Sequence, residues 1–237
     1  MAAFLKVGMP LYEQCTLLDF AGATQIFAFG PGWQVDWLAP TLAPITTTEK
    51  VQVCPKVTFE KAGDYDILFV PGGGPAVAQV MQDPVYVDFV RRVGSRADWA
   101  GSVCTGAFLL AAAGLFDGHP ATTYWSQLSN LKLFPRIEVP DGYPRWVISD
   151  KGPRNRRFSG GGVSSSIDLA LELVKRIAGP TVCQSTQLAN QYAPHPPYNS
   201  GIPLTAPPEI TASVLKGQES GFIEPIREAT CKVIGGC

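Results

Sequence analysis

Two histidines, His119 and His195, are all that this chain of 237 residues offers, which excludes a His-rich metal centre and leaves little material for Cys-His chemistry. Charge is also sparse. Asp, Glu, Lys and Arg make up 16% of the residues and the formal net charge is −1, so there is no basic footprint for nucleic acid or for an anionic membrane. The six cysteines (Cys15, Cys54, Cys104, Cys183, Cys231 and Cys237) include no C-x-x-C pair, and their spacing indicates neither a zinc site nor a secreted disulfide framework. No stretch reaches about 18 unbroken apolar residues, and the segment from Met1 to Pro10 lacks the apolar core of a signal peptide. The expected compartment is the cytoplasm, where thiols stay reduced.

Apolar residues, at 46% of the chain, are enough to bury one full core, and residues 1–237 read as one domain with embellishments. Leu5 to Leu11 reads as a buried strand, followed by a helix with apolar positions at Leu17, Leu18, Ala21, Ile26 and Phe27 that stops at Gly30-Pro31-Gly32. Trp33 to Ala39 and Val51 to Val57 read as further strands. The largely apolar run Asp66 to Val70, ending at Pro71-Gly72-Gly73-Gly74, has the character of a central parallel strand covered on both faces. A polar helix over Asp83 to Arg96, a hairpin-like region from Arg136 to Asp150 and an amphipathic helix over Ser164 to Ile177, carrying Asp168 near its first turn, complete the alternation. Such alternation predicts a doubly wound, mostly parallel sheet that binds ligands beyond the carboxyl ends of its strands. Residues 193–208 are too rich in proline for sheet or helix and predict an extended surface arm; residues 209–234 read as helical.

The chemistry concentrates at Cys104. A short β-prone run, Ala100 to Val103, meets Cys104-Thr105-Gly106 and then the apolar helix ending near Gly114, which is the pattern of a strand-turn-helix nucleophile elbow. A thiol there faces unpaired N–H groups of a first helical turn, whose partial positive charge favours thiolate. The alternative is a buried cysteine packed as a small hydrophobe. Backbone N–H groups at Gly73 and Thr105 are candidate donors for developing charge. His119, in the turn Asp117-Gly118-His119-Pro120, reads as solvated, and His195 lies in the proline arm, so neither falls where a Cys-His partner belongs. Among carboxylates Asp19 stands out because it interrupts an otherwise apolar stretch, Leu17-Leu18-Asp19-Phe20-Ala21. It reads either as a helix-terminal aspartate that complements the dipole or as a buried acid of raised pKa beside Cys104.

Leu18-Asp19-Phe20, Val70-Pro71-Gly72-Gly73, Ser102 to Gly106, Ala121-Thr122-Thr123, Gly160-Gly161-Gly162 and the segment from Tyr192-Ala193-Pro194 to Thr205-Ala206-Pro207 together resemble the isocyanide (isonitrile) hydratases of the ThiJ/PfpI superfamily. The resemblance spans nearly the whole chain. It implies a flavodoxin-like three-layer α/β sandwich, a homodimer, no cofactor and no metal, and hydration of a small hydrophobic isocyanide to an N-substituted formamide through a covalent cysteine thioimidate. Carried over by residue, it implies Cys104 as nucleophile, Asp19 as general acid/base where many relatives have glutamate, Gly72, Gly73 and Thr105 as binding or oxyanion contacts, and Tyr124, Trp125 and Val163 as pocket walls. One departure stands out. Relatives often read Thr-Thr-His-Trp where this chain has Thr122-Thr123-Tyr124-Trp125, which argues further against a Cys-His hydrolase and makes Tyr124 either a changed pocket wall or a packing residue. Glyoxalase- or deglycase-like action on α-oxoaldehydes, and a non-catalytic redox sensor built on the same cysteine, are the rival readings.

Overall fold

The most apolar segments of the chain become the middle of a seven-stranded sheet. The computed structural model describes residues 4–237, so the reading of Met1 to Pro10 rests in part on residues 1–3, which lie outside the described residues. In chain order the strands are β1 (Lys6–Pro10), β2 (Gln34–Ala39), β3 (Ile45–Thr46), β4 (Gln52–Val53), β5 (Val57–Thr58), β6 (Ile67–Val70), β7 (Trp99–Val103), β8 (Trp146–Asp150) and β9 (Arg156–Gly160). The main sheet runs β5-β2-β1-β6-β7-β9-β8. Every pairing in it is parallel except the last, where β8 runs antiparallel to β9 at one edge. Every residue of β6 and β7 is buried, as central parallel strands covered on both faces require.

Helices cover both faces, giving the flavodoxin-like three-layer sandwich. One layer packs α1 (Leu17–Phe29) with α6 (Ser165–Ala178) and α7 (Pro180–Ala189). The other holds α2 (Val77–Val80), α3 (Pro84–Gly94), α4 (Gly106–Ala112), α5 (Leu128–Leu131) and α9 (Glu224–Ile234). Outside these layers, α8 (Pro208–Gln218) buries none of its residues and is joined to α9 through a π-helical turn at Glu219–Ile223. The aromatic core around β6 and β9, with Phe69 tilted against Phe158 and edge-on to Phe27, fixes how these layers stack.

Four expectations need correction. The run Val51 to Val57 is not one strand: Pro55 removes a ladder donor, so β4 pairs antiparallel with β3 in a small hairpin while β5 joins the main sheet beside β2. The hairpin expected within Arg136 to Asp150 forms instead between β8 and β9, across the turn at Lys151 to Asn155. His119 is not solvated. It is buried, with Nδ1 2.9 Å from Ser149 Oγ and Nε2 3.0 Å from Asn155 Oδ1. The expectation of uniformly reduced thiols fails at the C-terminus, where Cys231 and Cys237 are disulfide-bonded; Cys15, Cys54, Cys104 and Cys183 are free. The proline arm lacks helix and strand from Ala193 to Pro207, and no helix among the described residues is long and apolar enough to cross a membrane.

Candidate active site

Cys104 stands at the carboxyl end of β7 with φ of 55°, a left-handed conformation that costs a non-glycine residue of order 1 kcal/mol or more. The surroundings hold it there. Its N–H points to the carbonyls of Gly160 (3.1 Å) and Gly161 (2.8 Å), and its own carbonyl accepts from Thr123 Oγ1 at 2.8 Å. This is the strained turn of a nucleophile elbow, and α4 begins two residues later at Gly106. Glycine is required there by close approach, since a Cβ on Gly106 would lie 2.5 Å from the carbonyl oxygen of Val70.

The acid arrives from a different element. Asp19 lies in the first turn of α1, fully buried, with Oδ2 accepting the Gly72 N–H at 2.8 Å. Its Oδ1 is buried without a hydrogen-bond partner, and the Cys104 thiol is near enough that each group shifts the titration of the other. Burial pushes the Asp19 pKa up to about 8, against the pull of the Gly72 amide, and burial together with the Asp19 charge raises the Cys104 thiol well above its ordinary value. An acid and a thiol coupled in this way share a proton and titrate as a pair. Of the two sequence readings of Asp19, the buried acid of raised pKa describes its surroundings; Thr16, at the N-cap of α1, makes no side-chain cap bond.

Gly72, Gly73 and Thr105 come together around the sulfur, with an altered division of labour. A Cβ on Gly72 would fall 2.7 Å from Thr105 N and 2.8 Å from Cys104 Cβ, so only glycine lets the turn after β6 meet the elbow. Both glycine amides, though, are already engaged: Gly72 N–H by Asp19, and Gly73 N–H by the hydroxyl of Thr105 at 3.1 Å. They orient the acid and the hydroxyl rather than standing free for a substrate. Thr105 supplies what remains, presenting its backbone N–H and its side chain to the Cys104 sulfur, both of which favour thiolate. Tyr12, fully buried, donates to the Pro71 carbonyl at 3.0 Å and so pins the same turn.

A cavity of about 610 Å³ lies beside the elbow and meets it through Thr123 and Gly161; Cys104, Asp19, Gly72, Gly73 and Thr105 are not themselves in its wall. Tyr124, Trp125 and Val163 all line it, as does Leu18, the neighbour of Asp19; Thr123 and Gly161, which hold the Cys104 backbone, are also in its wall. Gly201 and Ile202 of the proline arm close one side. The Tyr124 ring packs 5.8 Å from Trp125 and 5.7 Å from Phe222, and its hydroxyl meets Gln218 Nε2 at 3.1 Å, so it is wall and packing residue at once. The one cation in the wall, Arg145, is neutralised by Asp168, which also accepts from Tyr192 at 2.8 Å and thereby ties the start of the arm to α6. Among the described residues no group of three or more His, Cys, Asp or Glu is placed to hold a metal ion. His195 is exposed in the arm, and His119 lies in the cluster with Ser149 and Asn155 described above.

Tyr12 and Arg145 escaped sequence reasoning, since each acts across a long sequence separation. Only Tyr12, in an apolar segment directly after β1, carried a local signal.

A sequence model of the DJ-1/PfpI family matches residues 5–150 of the chain. The chain is 36% identical over 212 residues to an isonitrile hydratase of Pseudomonas putida, covering 90% of this chain and 89% of that protein. A crystal structure of a ThiJ/PfpI family protein from Pseudomonas syringae superposes with a TM-score of 0.87 at 29% identity, over 97% of this chain and 91% of that one. DJ-1beta of Drosophila melanogaster shares the fold at a TM-score of 0.69 and 17% identity, over 81% of this chain and all of its own length.

Proposed function

The chain belongs to the DJ-1/PfpI family, and from that premise we propose that it is an isonitrile hydratase, converting isocyanides to N-substituted formamides. The observation that carries this reading is the 36% identity to the Pseudomonas putida enzyme over nine-tenths of both chains. The Cys104–Asp19 pair, with a cavity walled by Leu18, Tyr124, Trp125 and Val163 beside the elbow, supports it. We take the whole chain as one domain, in which the arm closes one side of the cavity and Gln218 and Phe222 back its Tyr124 wall.

An isocyanide carbon is electrophilic and, once attacked, must receive a proton. The shared proton of the pair meets both needs. In the form of the pair that holds a single proton, Asp19 takes it from the thiol as Cys104 Sγ bonds to the terminal carbon and returns it to that carbon, giving the thioimidate R–N=CH–S–Cys104. Asp19 then takes a proton from water as the hydroxide adds to the same carbon, and passes it to nitrogen. Collapse forms the C=O bond, breaks the C–S bond and sends the hydroxyl proton through Asp19 back to sulfur. The balance is R–NC plus water to R–NH–CHO, with the enzyme regenerated. Thr105 N–H and hydroxyl steady the sulfur whenever it carries charge.

A free nucleophilic thiol suits the reducing cytoplasm. Leu188, Tyr198, Leu204 and Ile210, exposed on α7, the arm and α8, are apolar side chains that a homodimer would cover.

The test is formamide production from an aryl isocyanide by purified protein, with Cys104→Ala alongside. Turnover in the wild type that vanishes in the variant is expected, with a slow substrate leaving its thioimidate mass on the Cys104 peptide. Full turnover in Cys104→Ala overturns the covalent route. Absence of turnover in a wild type of verified free thiol overturns the hydratase reading.

A further inference from the structure

The β3–β4 hairpin lies outside the reacting cluster, yet it holds the chain that delivers Asp19. Gln14 N–H donates to the Thr46 carbonyl at 2.8 Å, Thr48 N–H to the Cys15 carbonyl at 3.2 Å, and Thr48 Oγ1 to the Gln14 carbonyl at 2.8 Å. Thr46 N–H is met in turn by Glu13 Oε2 at 3.1 Å. The clasp ends at α1 itself: Leu17 N–H, the first of the helix, donates to Glu49 Oε2 at 3.0 Å. Thr16 occupies the N-cap and makes no side-chain cap bond, so a residue 32 positions away caps this helix instead. Backbone strain accompanies the arrangement, with Gln14 at φ 62° and Lys50 at φ 66°. Such strain persists only where the surroundings enforce it.

A hydrophilic cap is commonplace at a helix N-terminus; this one is an anion placed two residues from the buried acid of the site. We propose that Glu49 is a positioning residue for the Cys104–Asp19 pair, capping α1 to fix where Asp19 stands and setting a negative charge at the start of the helix that carries it. This rests on the pairing of Asp19 with Cys104 set out under the proposed function. The groups that face Asp19 are Tyr12 and Cys15 from the β1–α1 loop, Cys104 from the elbow and Glu49 from the hairpin. None is cationic. The Glu49 charge raises Asp19 further after burial has done most of the work, and Glu49 is itself exposed and favoured by the helix dipole. An exposed carboxylate therefore acts on a buried one through the first turn of a helix, and the pair stays protonated to higher pH than burial alone would hold it.

Glu49→Gln separates the two roles, because the amide oxygen still accepts from Leu17 N–H while the charge is gone. The measurement is the pH dependence of Cys104 alkylation by iodoacetamide, read on the Cys104 peptide by mass spectrometry, in wild type, Glu49→Gln and Thr48→Val. Alkylation should rise with a midpoint near pH 8 in the wild type, set by the first proton lost from the pair. In Glu49→Gln the midpoint should fall by about half a pH unit. Thr48→Val, which breaks only the bond to Gln14, should keep the wild-type midpoint while lowering Tm. An unchanged midpoint in Glu49→Gln, or an equal shift in both variants, overturns the proposal. Alkylation needs no isocyanide, so a shifted midpoint without formamide production upholds this inference and overturns only the hydratase reading.

Discussion

Two buried polar clusters look alike in composition, one at the carboxyl end of β7 and the other where β8 ends and β9 begins. In the first, Asp19 meets Gly72, Cys104 and Thr105; in the second, His119 meets Ser149 and Asn155. They differ in what is left over. Both nitrogens of His119 have partners, with Asn155 Oδ1 as the acceptor that sets the tautomer, and burial with the nearby Arg157 and Lys151 charges lowers its pKa. That is a finished network, and finished networks stiffen a fold. Around Asp19 one carboxylate oxygen lacks a partner, the adjacent residue Cys104 is in a strained conformation, and a cavity adjoins. Incomplete satisfaction, strain and access distinguish a site that reacts from a cluster that only holds.

The strongest way to break this contrast is Asp19→Asn. The amide keeps an oxygen for Gly72 N–H but cannot carry protons, so kcat should fall by about a hundredfold or more. Stability should move the other way. The folded carboxyl titrates near 8 against an ordinary 3.8, so the unfolded chain releases its proton first as pH rises. The cost to the fold starts near pH 4, grows to about pH 8 and is constant above. Asp19→Asn removes it, and thermal unfolding should show a gain absent at pH 4 and on the order of a few kcal/mol at pH 8. A loss of Tm at pH 8 would mean that Asp19 is a structural cap.

Thr105 comes next. Thr105→Ala takes a donor from the sulfur and orphans the Gly73 N–H, which predicts a fall in kcat of about tenfold. Thr105→Ser should restore most of it, because the hydroxyl and not the methyl makes both contacts. His119→Ala probes the opposite cluster. Leaving Ser149 and Asn155 unpaired should cost about 1–3 kcal/mol in denaturant unfolding, with kcat/KM for an isocyanide changed by less than about twofold. A collapse of kcat/KM in a folded His119→Ala protein would erase the distinction between the two clusters.

The sequence disclosed the reacting side of this contrast better than the structural side, for a physical reason. Cys104 and Gly72 announce themselves locally, as a small-residue turn between an apolar strand and an apolar helix, and β1, β6, α1 and α6 follow from their periodicity. Asp19 was visible because a charge inside an apolar run demands a partner, although the run could not say whether that partner was an amide, a thiol or the helix dipole. His119 was misread because its turn residues are those of an exposed loop, while the cover comes from Ser149 and Asn155, 30 and 36 residues downstream. Glu49 and the split of Val51 to Val57 likewise depend on pairings across the fold. The engaged amides of Gly72 and Gly73 show the same limit: the turn could be read, but not the acceptors it meets.

A small effect is also expected at Tyr124, in the cavity wall. Its ring closes the cavity wall against Trp125 and Phe222, and its hydroxyl points to Gln218. Tyr124→Phe keeps the ring and loses one hydrogen bond to a half-buried amide, so KM for an aryl isocyanide should change by less than about threefold and kcat should hold. Tyr124→Ala removes the wall itself and should raise KM for the aryl substrate more than for a small alkyl one, because the lost contacts lie along the R group and not at the reacting carbon. The comparison of the two variants sharpens what the cavity contributes. If Tyr124→Phe lowered kcat as far as Asp19→Asn, the hydroxyl would have to be counted with the reacting groups, and the boundary drawn between cluster and wall would move outward to include it.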